Sequence, residues 1–229
     1  MRPVLTLFVL GILAASALHG PAAGQDAPAH ATPSGAAPVP AGAYTIDKAH
    51  TSLIFRVSHL GFSNYTGRFE KVDAKLQFDP ANPADSRITV NIDPRSIESD
   101  NAPAGFLDTL RGAQWLNTAK FPDMMYRSTR VARTGGNNLR IQGDLTLHGV
   151  TRPVALDATF NGGYAGHPMD PHARIGFSAH GTFKRSDFGI ALGIPAPGTT
   201  MGVSDDVEVI IETEFSGPPL ATAPSAPSR

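Results

Sequence analysis

The chain has 229 residues, of which 19 are Lys or Arg and 20 are Asp or Glu, so its formal net charge is -1. It contains no cysteine, which excludes disulfides, thiolate metal sites and cysteine nucleophiles. The near-neutral charge gives no reason to expect nucleic acid or an anionic membrane surface as a partner.

The first 24 residues have the pattern of a secretory signal peptide. Arg2 gives a small positive start, an apolar run over residues 4–18 follows, and small residues lead to a cleavage site near Gly24. The alternative is a membrane anchor, but the run is shorter than the ~20 apolar residues that a spanning helix needs, and it ends at Gly20 and Pro21. The sequence therefore predicts that residues 1–24 are a cleaved signal peptide and that the protein is exported.

Two segments rich in Ala, Pro and Gly flank the centre of the chain. Residues 25–42 and 216–229 carry too little apolar bulk to offset the entropy lost on ordering them. We expect a disordered linker and a disordered tail. The remaining residues, 43–215, are enough for one domain with its own core.

Apolar residues at every second position dominate this domain, which is typical of half-buried strands. In residues 52–60, Leu53, Phe55 and Val57 alternate with polar side chains. The same alternation predicts further strands at residues 72–78, 88–92, 139–147, 154–160, 175–183 and 207–215.

Short turns separate the predicted strands, for instance at Gly136-Asn137 and at His148-Gly149. Strands joined in this way indicate an antiparallel sandwich or barrel. Alternation does not separate the two, because both have one inward face on each strand.

Residues 102–117 depart from the strand pattern. Phe106, Leu107 and Leu110 have helical spacing, and Trp115 follows. We expect one or two short helices packed on the sheet or over a barrel opening, ended by Phe121-Pro122.

The sequence carries no motif of a known enzyme class. It has no G-x-S-x-G elbow and no phosphate-binding glycine loop, and the adjacent Asp205 and Asp206 would point to opposite faces of a strand. His167, Asp170 and His172 share a loop that could bind a metal weakly, but two prolines stiffen it and its spacing is not that of a zincin. We therefore predict neither catalytic residues nor a metal site.

The alternation does predict an apolar interior. A barrel of about eight strands has room for side chains or for one small ligand, and each methylene moved into such a cavity contributes roughly 0.8 kcal/mol. For each inward residue, plain core packing is the alternative to ligand contact.

Four stretches, taken together, resemble one protein family. Residues 44–69 include Asp47 and His50 in the family's opening motif, and residues 203–215 match its closing strand. Between them, LTLHGVTRPVAL at residues 145–156 and FKRSDFGI at residues 183–190 match two internal motifs. Over essentially all of residues 43–215, the chain resembles the YceI-like family of polyisoprenoid-binding, lipocalin-like periplasmic proteins.

This resemblance implies an all-β fold, an antiparallel eight-stranded lipocalin-like barrel with one or two short helices near the opening. It implies a periplasmic protein without catalysis or cofactor, whose partner is an isoprenoid lipid of the quinone or prenyl phosphate type. One departure concerns Trp115 and Leu116, which stand where family members more often have two aromatics. The sequence leaves open which isoprenoid binds and whether the barrel forms a homodimer.

The ligand-binding residues that we predict on this basis lie on the first strands, the helical segment and the FKRSDFGI motif. They are Leu53, Phe55, Val57, His59, Phe69, Phe106, Leu107, Leu110, Trp115, Arg185 and Phe188. Two roles are open for Arg185: a local pair with Asp187, or contact with an anionic headgroup.

Two other functions stay open at this stage. One is a metal-dependent enzyme or accessory protein that uses Asp47, His50 and His59 at the barrel mouth. The other is an interaction module of a membrane redox or stress system.

Overall fold

The computed structural model describes residues 39–220. The predicted signal peptide and most of the predicted linker lie outside the described residues, as do residues 221–229 of the predicted tail. The described part forms ten strands, one α-helix and three short 3₁₀ turns. The strands are β1 (Gly42–His59), β2 (Ser63–Phe69), β3 (Val72–Phe78), β4 (Arg87–Ile92), β5 (Ile97–Glu98), β6 (Met124–Gly135), β7 (Asn138–Leu147), β8 (Val150–Tyr164), β9 (His172–Lys184) and β10 (Val203–Pro219), and the helix is α1 (Phe106–Arg111).

Eight of these strands form a closed antiparallel barrel. They neighbour one another in the order β1, β3, β4, β6, β7, β8, β9 and β10, and β10 pairs again with β1. At this closure Leu53 lies opposite Ile211 and Phe55 lies opposite Val209. The predicted eight-stranded antiparallel barrel is confirmed, and the sandwich is excluded because closure leaves the ring without a sheet edge.

Strands β2 and β5 extend the ring at one end. β2 pairs with the second half of β1, where Tyr65 lies opposite Val57, and β5 pairs with β2, where Ile97 lies opposite Phe69. We call the end that carries β2, α1 and residues 185–202 the open end. The closed end is the one at which β1 begins and β10 finishes.

Strand β6 does not follow the alternation of apolar and polar residues, because it contains a bulge. Met124 and Tyr126 are buried at even positions, whereas Val131 is buried at an odd position. The pairing with β7 shifts register between Ser128 and Arg130. An extra residue in a strand reverses the face of everything that follows it, so the period of two is lost in the sequence.

Strand β2 is not recognisable in the sequence, because a glycine occupies one of its inward positions. Gly67 is buried, and a β-carbon there would lie 2.4 Å from the Phe55 ring. The ring therefore occupies the volume that a side chain of β2 would otherwise fill. Without an apolar residue at that position, the sequence shows no clear strand signal.

The helical segment is shorter than the sequence predicts. α1 ends at Arg111, because Gly112 has extended backbone angles and follows as its C-terminal cap. Turns then carry the chain back, with the amide of Thr118 donating to the carbonyl of Arg111. The prediction that Phe121-Pro122 ends the helix is therefore wrong.

The closed end is filled by aromatic side chains. Phe78 lies 6.1 Å from Tyr44 and 5.6 Å from Phe177 between ring centroids, and Phe215 lies 6.2 Å from Phe177. The Tyr44 hydroxyl donates a hydrogen bond to the carbonyl of Pro40, and burial raises the pKa of Tyr44 to about 12. Large interdigitating rings make this end a packed core.

The final strand takes part in this core beyond the predicted domain boundary. β10 continues to Pro219, and Ser216, which we placed in the disordered tail, pairs with Arg174. Gly217 lies against Tyr44, where a β-carbon would come within 2.0 Å of the ring. The ordered domain thus extends four residues further than the composition indicates.

Candidate ligand-binding cavity

The part of the barrel toward the open end encloses a cavity of about 670 Å³. Its walls are almost entirely aliphatic and aromatic side chains from the inward faces of the strands. The aromatic cluster of the closed end supplies its floor through Phe78, Phe177 and Phe215. Ligand pockets in proteins commonly measure roughly 300–1,000 Å³ and are lined in this way.

The inward side chains of this part of the barrel leave a space between them. Val207 and Val209 on β10 and Val57 on β1 line the space, together with Phe55 and Phe183. An eight-stranded barrel has room for inward side chains or for one small ligand. Here aromatic rings fill the closed end, and the rest of the interior is hollow.

Most of the predicted site residues line this cavity. The strands contribute those on β1 and β2, and the opening contributes those on α1, the turn after it and the FKRSDFGI motif. The residues concerned are Leu53, Phe55, Val57, His59, Phe69, Phe106, Leu110, Trp115 and Arg185.

Leu107 and Phe188 are not among the lining residues. Phe106 and Leu110 share a face of α1, since they are four residues apart, and Leu107 is rotated away from that face. Phe188 is buried in the wall, where its ring packs 5.3 Å from Phe183. For these two residues the structure does not support ligand contact.

The lining residues of the later strands are not among the predicted site residues. Val209 and Ile211 on β10 face the cavity, as do Ile141 on β7 and Val154 on β8. On β10 the sequence does indicate which face is inward, because Glu208 and the other charged residues of that strand mark the outer face. On strands without such charges, alternation does not say which face is inward.

Arg185 is a buried cation at the open end, with 4% of its surface exposed. Its guanidinium donates to the carbonyl oxygens of Ile190, Leu192, Val203 and Ser204 at 2.8–3.0 Å. Burial lowers its pKa from the usual value, and the nearby charge of an aspartate opposes this. These four contacts tie residues 190–204 to the barrel.

The two roles that we left open for Arg185 have different outcomes. Asp187 is exposed and makes no ion pair with Arg185 in the described chain, so the predicted local pair is wrong. The guanidinium carbon lies 5.2 Å from the centre of the Trp115 ring, which connects the two sides of the opening. Headgroup contact stays a prediction.

Tyr65 brings a polar atom to the apolar wall. Its hydroxyl is buried and has no hydrogen-bond partner among residues 39–220, and its ring packs edge-on against Phe106 at 5.5 Å. Tyr126 also lines the cavity, but its hydroxyl donates to the carbonyl of Val154 at 3.2 Å. Of these two tyrosines, Tyr65 is the one with a hydrogen-bond donor to offer a ligand.

The histidines of the metal-dependent alternative do not meet. His59 lies at the open end, opposite Val203. His50 lies in a bulge of β1 near the closed end, where its Nδ1 is 3.1 Å from an Asp47 oxygen. Asp47 pairs with Glu214 in the strand register, so the predicted grouping of Asp47, His50 and His59 at the mouth is wrong.

Asp47, His50 and Glu214 do approach one another on the outer wall. Asp47 already accepts hydrogen bonds from His50, Arg174 and the amide of Ala49. The hydrogen bond from His50, followed by that from Arg174, lowers the pKa of Asp47 to about 2. This is the arrangement of an ion-pair network, since the carboxylate oxygens are occupied by protein donors.

The loop that carries His167, Asp170 and His172 uses its polar side chains for hydrogen bonds within the protein. Its Asp170 carboxylate accepts from the Tyr164 hydroxyl at 2.6 Å and from Arg174 Nε at 2.9 Å. His167 Nδ1 accepts from the amide of Met169 at 3.1 Å. His167, Asp170 and His172 are not brought together as ligands within the described residues.

Comparisons with known proteins agree with the fold. The profile of the YceI-like domain matches residues 44–215. The chain belongs to the YceI-like family. The YceI protein of Escherichia coli O157:H7 is 39% identical over 176 residues, which are 75% of this chain and 85% of that protein.

Solved structures of known proteins share this barrel. The YCEI protein of Campylobacter jejuni is 29% identical, with a TM-score of 0.59 over 70% of this chain and 90% of that one. A polyisoprenoid-binding domain from Saccharophagus degradans, implicated in plant cell wall breakdown, is 16% identical, with a TM-score of 0.52 over 76% and 98% of the two chains. At that identity the second likeness concerns the fold alone.

Within residues 39–220, no helix has the length and apolar character required to cross a bilayer.

Proposed function

We propose that this protein is a non-catalytic carrier that holds one isoprenoid chain in its barrel. The observation that carries the proposal is the apolar cavity of about 670 Å³. A hydrocarbon chain gains about 0.8 kcal/mol for each methylene that it buries, so it needs no specific polar contact along its length. Membership of the YceI-like family supports the same function.

The ligand class is an isoprenoid with a polar head, such as an isoprenoid quinone or a prenyl phosphate. The tail would lie toward the aromatic floor, and the head would lie near Tyr65 and Arg185 at the open end. The Tyr65 hydroxyl would donate to a carbonyl or phosphate oxygen of the head. Such a contact would remove the energetic penalty of a buried hydroxyl without a partner.

The cellular setting is part of the same proposal. With residues 1–24 acting as a signal peptide, the carrier would work in the periplasm, where an apolar lipid must be shielded from water. Transport, storage and stress response are all compatible with this role. The proposal assigns no catalytic step and no cofactor other than the bound lipid.

Native mass spectrometry of protein purified from its own host tests this function. We expect a mass increment for one lipid per chain, which organic extraction should release as an isoprenoid. A ligand-free protein that also takes up neither an isoprenoid quinone nor a prenyl phosphate from detergent solution would contradict the proposal.

A further inference from the structure

The rim of the open end carries exposed apolar side chains that the cavity does not use. Phe62 is 81% exposed, Met201 66% and Leu192 42%. Among residues 39–220, the other large apolar side chains that are exposed, Met169 and Leu220, belong to the closed end. Exposed Phe and Met in one place call for a functional explanation.

These three side chains belong to segments that are joined to one another. The amide of Leu60 donates to the carbonyl of Gly202 at 2.8 Å, which joins the β1–β2 turn to the loop before β10. The amide of Val203 donates to the carbonyl of Gly193, also at 2.8 Å. Phe62, Leu192 and Met201 therefore lie on adjoining segments, which we call the rim patch.

The rim patch is uncharged along the chain. Residues 60–67 and 189–204 contain no Asp, Glu, Lys, Arg or His. Charged groups flank these segments: Lys184 pairs with Asp206 at 3.0 Å beside the start of β10, and Arg68 of β2 pairs with Asp100 at 2.7 Å. An uncharged apolar surface enters a lipid interface without the cost of removing ions from water.

The small extent of the rim patch argues against a protein partner. Large apolar side chains bury at most about 250 Å² each, so three of them fall short of the roughly 800 Å² that each partner contributes to a stable interface. A bilayer needs no matching surface. It accepts a few exposed side chains at the depth of its headgroups.

We infer that the rim patch docks the open end of the barrel on the surface of a lipid bilayer. The inference rests on the proposed function, because it gives an apolar ligand a route between membrane and cavity that avoids water. Arg185 supports this arrangement by holding residues 190–204 in place. The membrane is recognised through apolar contact, and anionic lipid is not required.

Flotation with phosphatidylcholine vesicles tests the inference on the full chain. The double variant Phe62→Ser/Met201→Ser should bind vesicles at least about tenfold more weakly than the unchanged protein. Met169→Ser is the matched control, since Met169 is 90% exposed but lies at the closed end. If residues outside the barrel contribute to vesicle binding, their contribution is the same in the unchanged protein, the double variant and Met169→Ser.

The outcomes separate docking from ligand binding. No flotation of the unchanged protein, equal flotation of the double variant, or an equal loss in Met169→Ser would overturn the docking inference. If sedimentation instead shows that the double variant abolishes a dimer, the rim patch is an interface between copies and the inference is wrong. Uptake of an isoprenoid quinone from detergent, measured in parallel, reports on the proposed function alone and should be equal in all three proteins.

Discussion

The two ends of the barrel use the same strands for different purposes. At the closed end, Tyr44 and Phe215 are 1% exposed, and the Tyr44 hydroxyl is paired with a backbone carbonyl. At the open end, Phe55 and Tyr65 face a cavity, and the Tyr65 hydroxyl has no partner among the described residues. The comparison shows that the packed end stabilises the barrel and supplies the floor of the cavity, while the other end stays hollow.

The largest expected effect is on stability, and it tests directly whether the two ends differ in packing. Phe215→Ala should lower the free energy of unfolding by about 3–5 kcal/mol, since it opens a hole in a packed aromatic core. Phe55→Ala should cost only about 1–2 kcal/mol, because one side of the ring already borders the cavity. Urea unfolding followed by circular dichroism measures both, and equal losses would mean that the two ends do not differ in packing.

Substitution of Arg185 tests what holds the loop of the open end in place. Arg185→Met leaves four backbone carbonyls without their donor, and we expect a loss of about 2–3 kcal/mol. Hydrogen exchange should show the loss of protection concentrated in residues 190–204, with Arg185→Lys intermediate. Unchanged exchange in this segment would show that the carbonyl contacts do not hold the loop.

The ion pairs around Asp47 should give the outer wall near the closed end a pH dependence. The pKa of Asp47 is lowered from 3.8 to about 2, so its contribution is fully present above about pH 5 and is lost as the pH falls through 2. Asp47→Asn should cost about 1 kcal/mol at pH 7, allowing for partial solvent screening. In urea unfolding, the difference from the unchanged protein should shrink below about pH 4 and vanish only below about pH 2.

A matched variant distinguishes this network from an ordinary surface pair. Asp73 forms an exposed ion pair with Lys48 at 3.2 Å, so Asp73→Asn should change stability by less than about 0.5 kcal/mol. If Asp73→Asn and Asp47→Asn have equal effects at pH 7, the Asp47 network has no special role.

The smallest effect concerns the two tyrosines of the cavity wall. Tyr126→Phe removes a hydrogen bond and should cost about 1 kcal/mol, whereas Tyr65→Phe removes a buried hydroxyl without a partner among the described residues and should raise the stability of the ligand-free protein by about 1 kcal/mol. In binding assays the order should reverse, with Tyr65→Phe weakening a ligand that has a polar head. Equal effects of the two variants in both assays would contradict the role proposed for the Tyr65 hydroxyl.

The barrel could be predicted because alternation and four family motifs agree over most of the chain. Alternation fails where local geometry interrupts it: a bulge between Ser128 and Arg130 reverses the faces of β6, and Gly67 leaves no apolar signal in β2. The Arg185 contacts could not be predicted, because its partners are backbone carbonyls that are brought together only by the fold. Phe188 does not line the cavity, because its position after Arg185 in a 3₁₀ turn directs it into the wall.

The central claim is that the cavity holds the lipid tail, and filling the cavity tests it most directly. Val209 points into the cavity and its neighbour Ile210 does not, so Val209→Trp and Ile210→Trp add a large ring on opposite sides of one wall. Titration with an isoprenoid quinone, followed by native mass spectrometry, should show that Val209→Trp loses binding at least about tenfold while Ile210→Trp retains it. Unimpaired binding by a folded Val209→Trp variant would contradict the account.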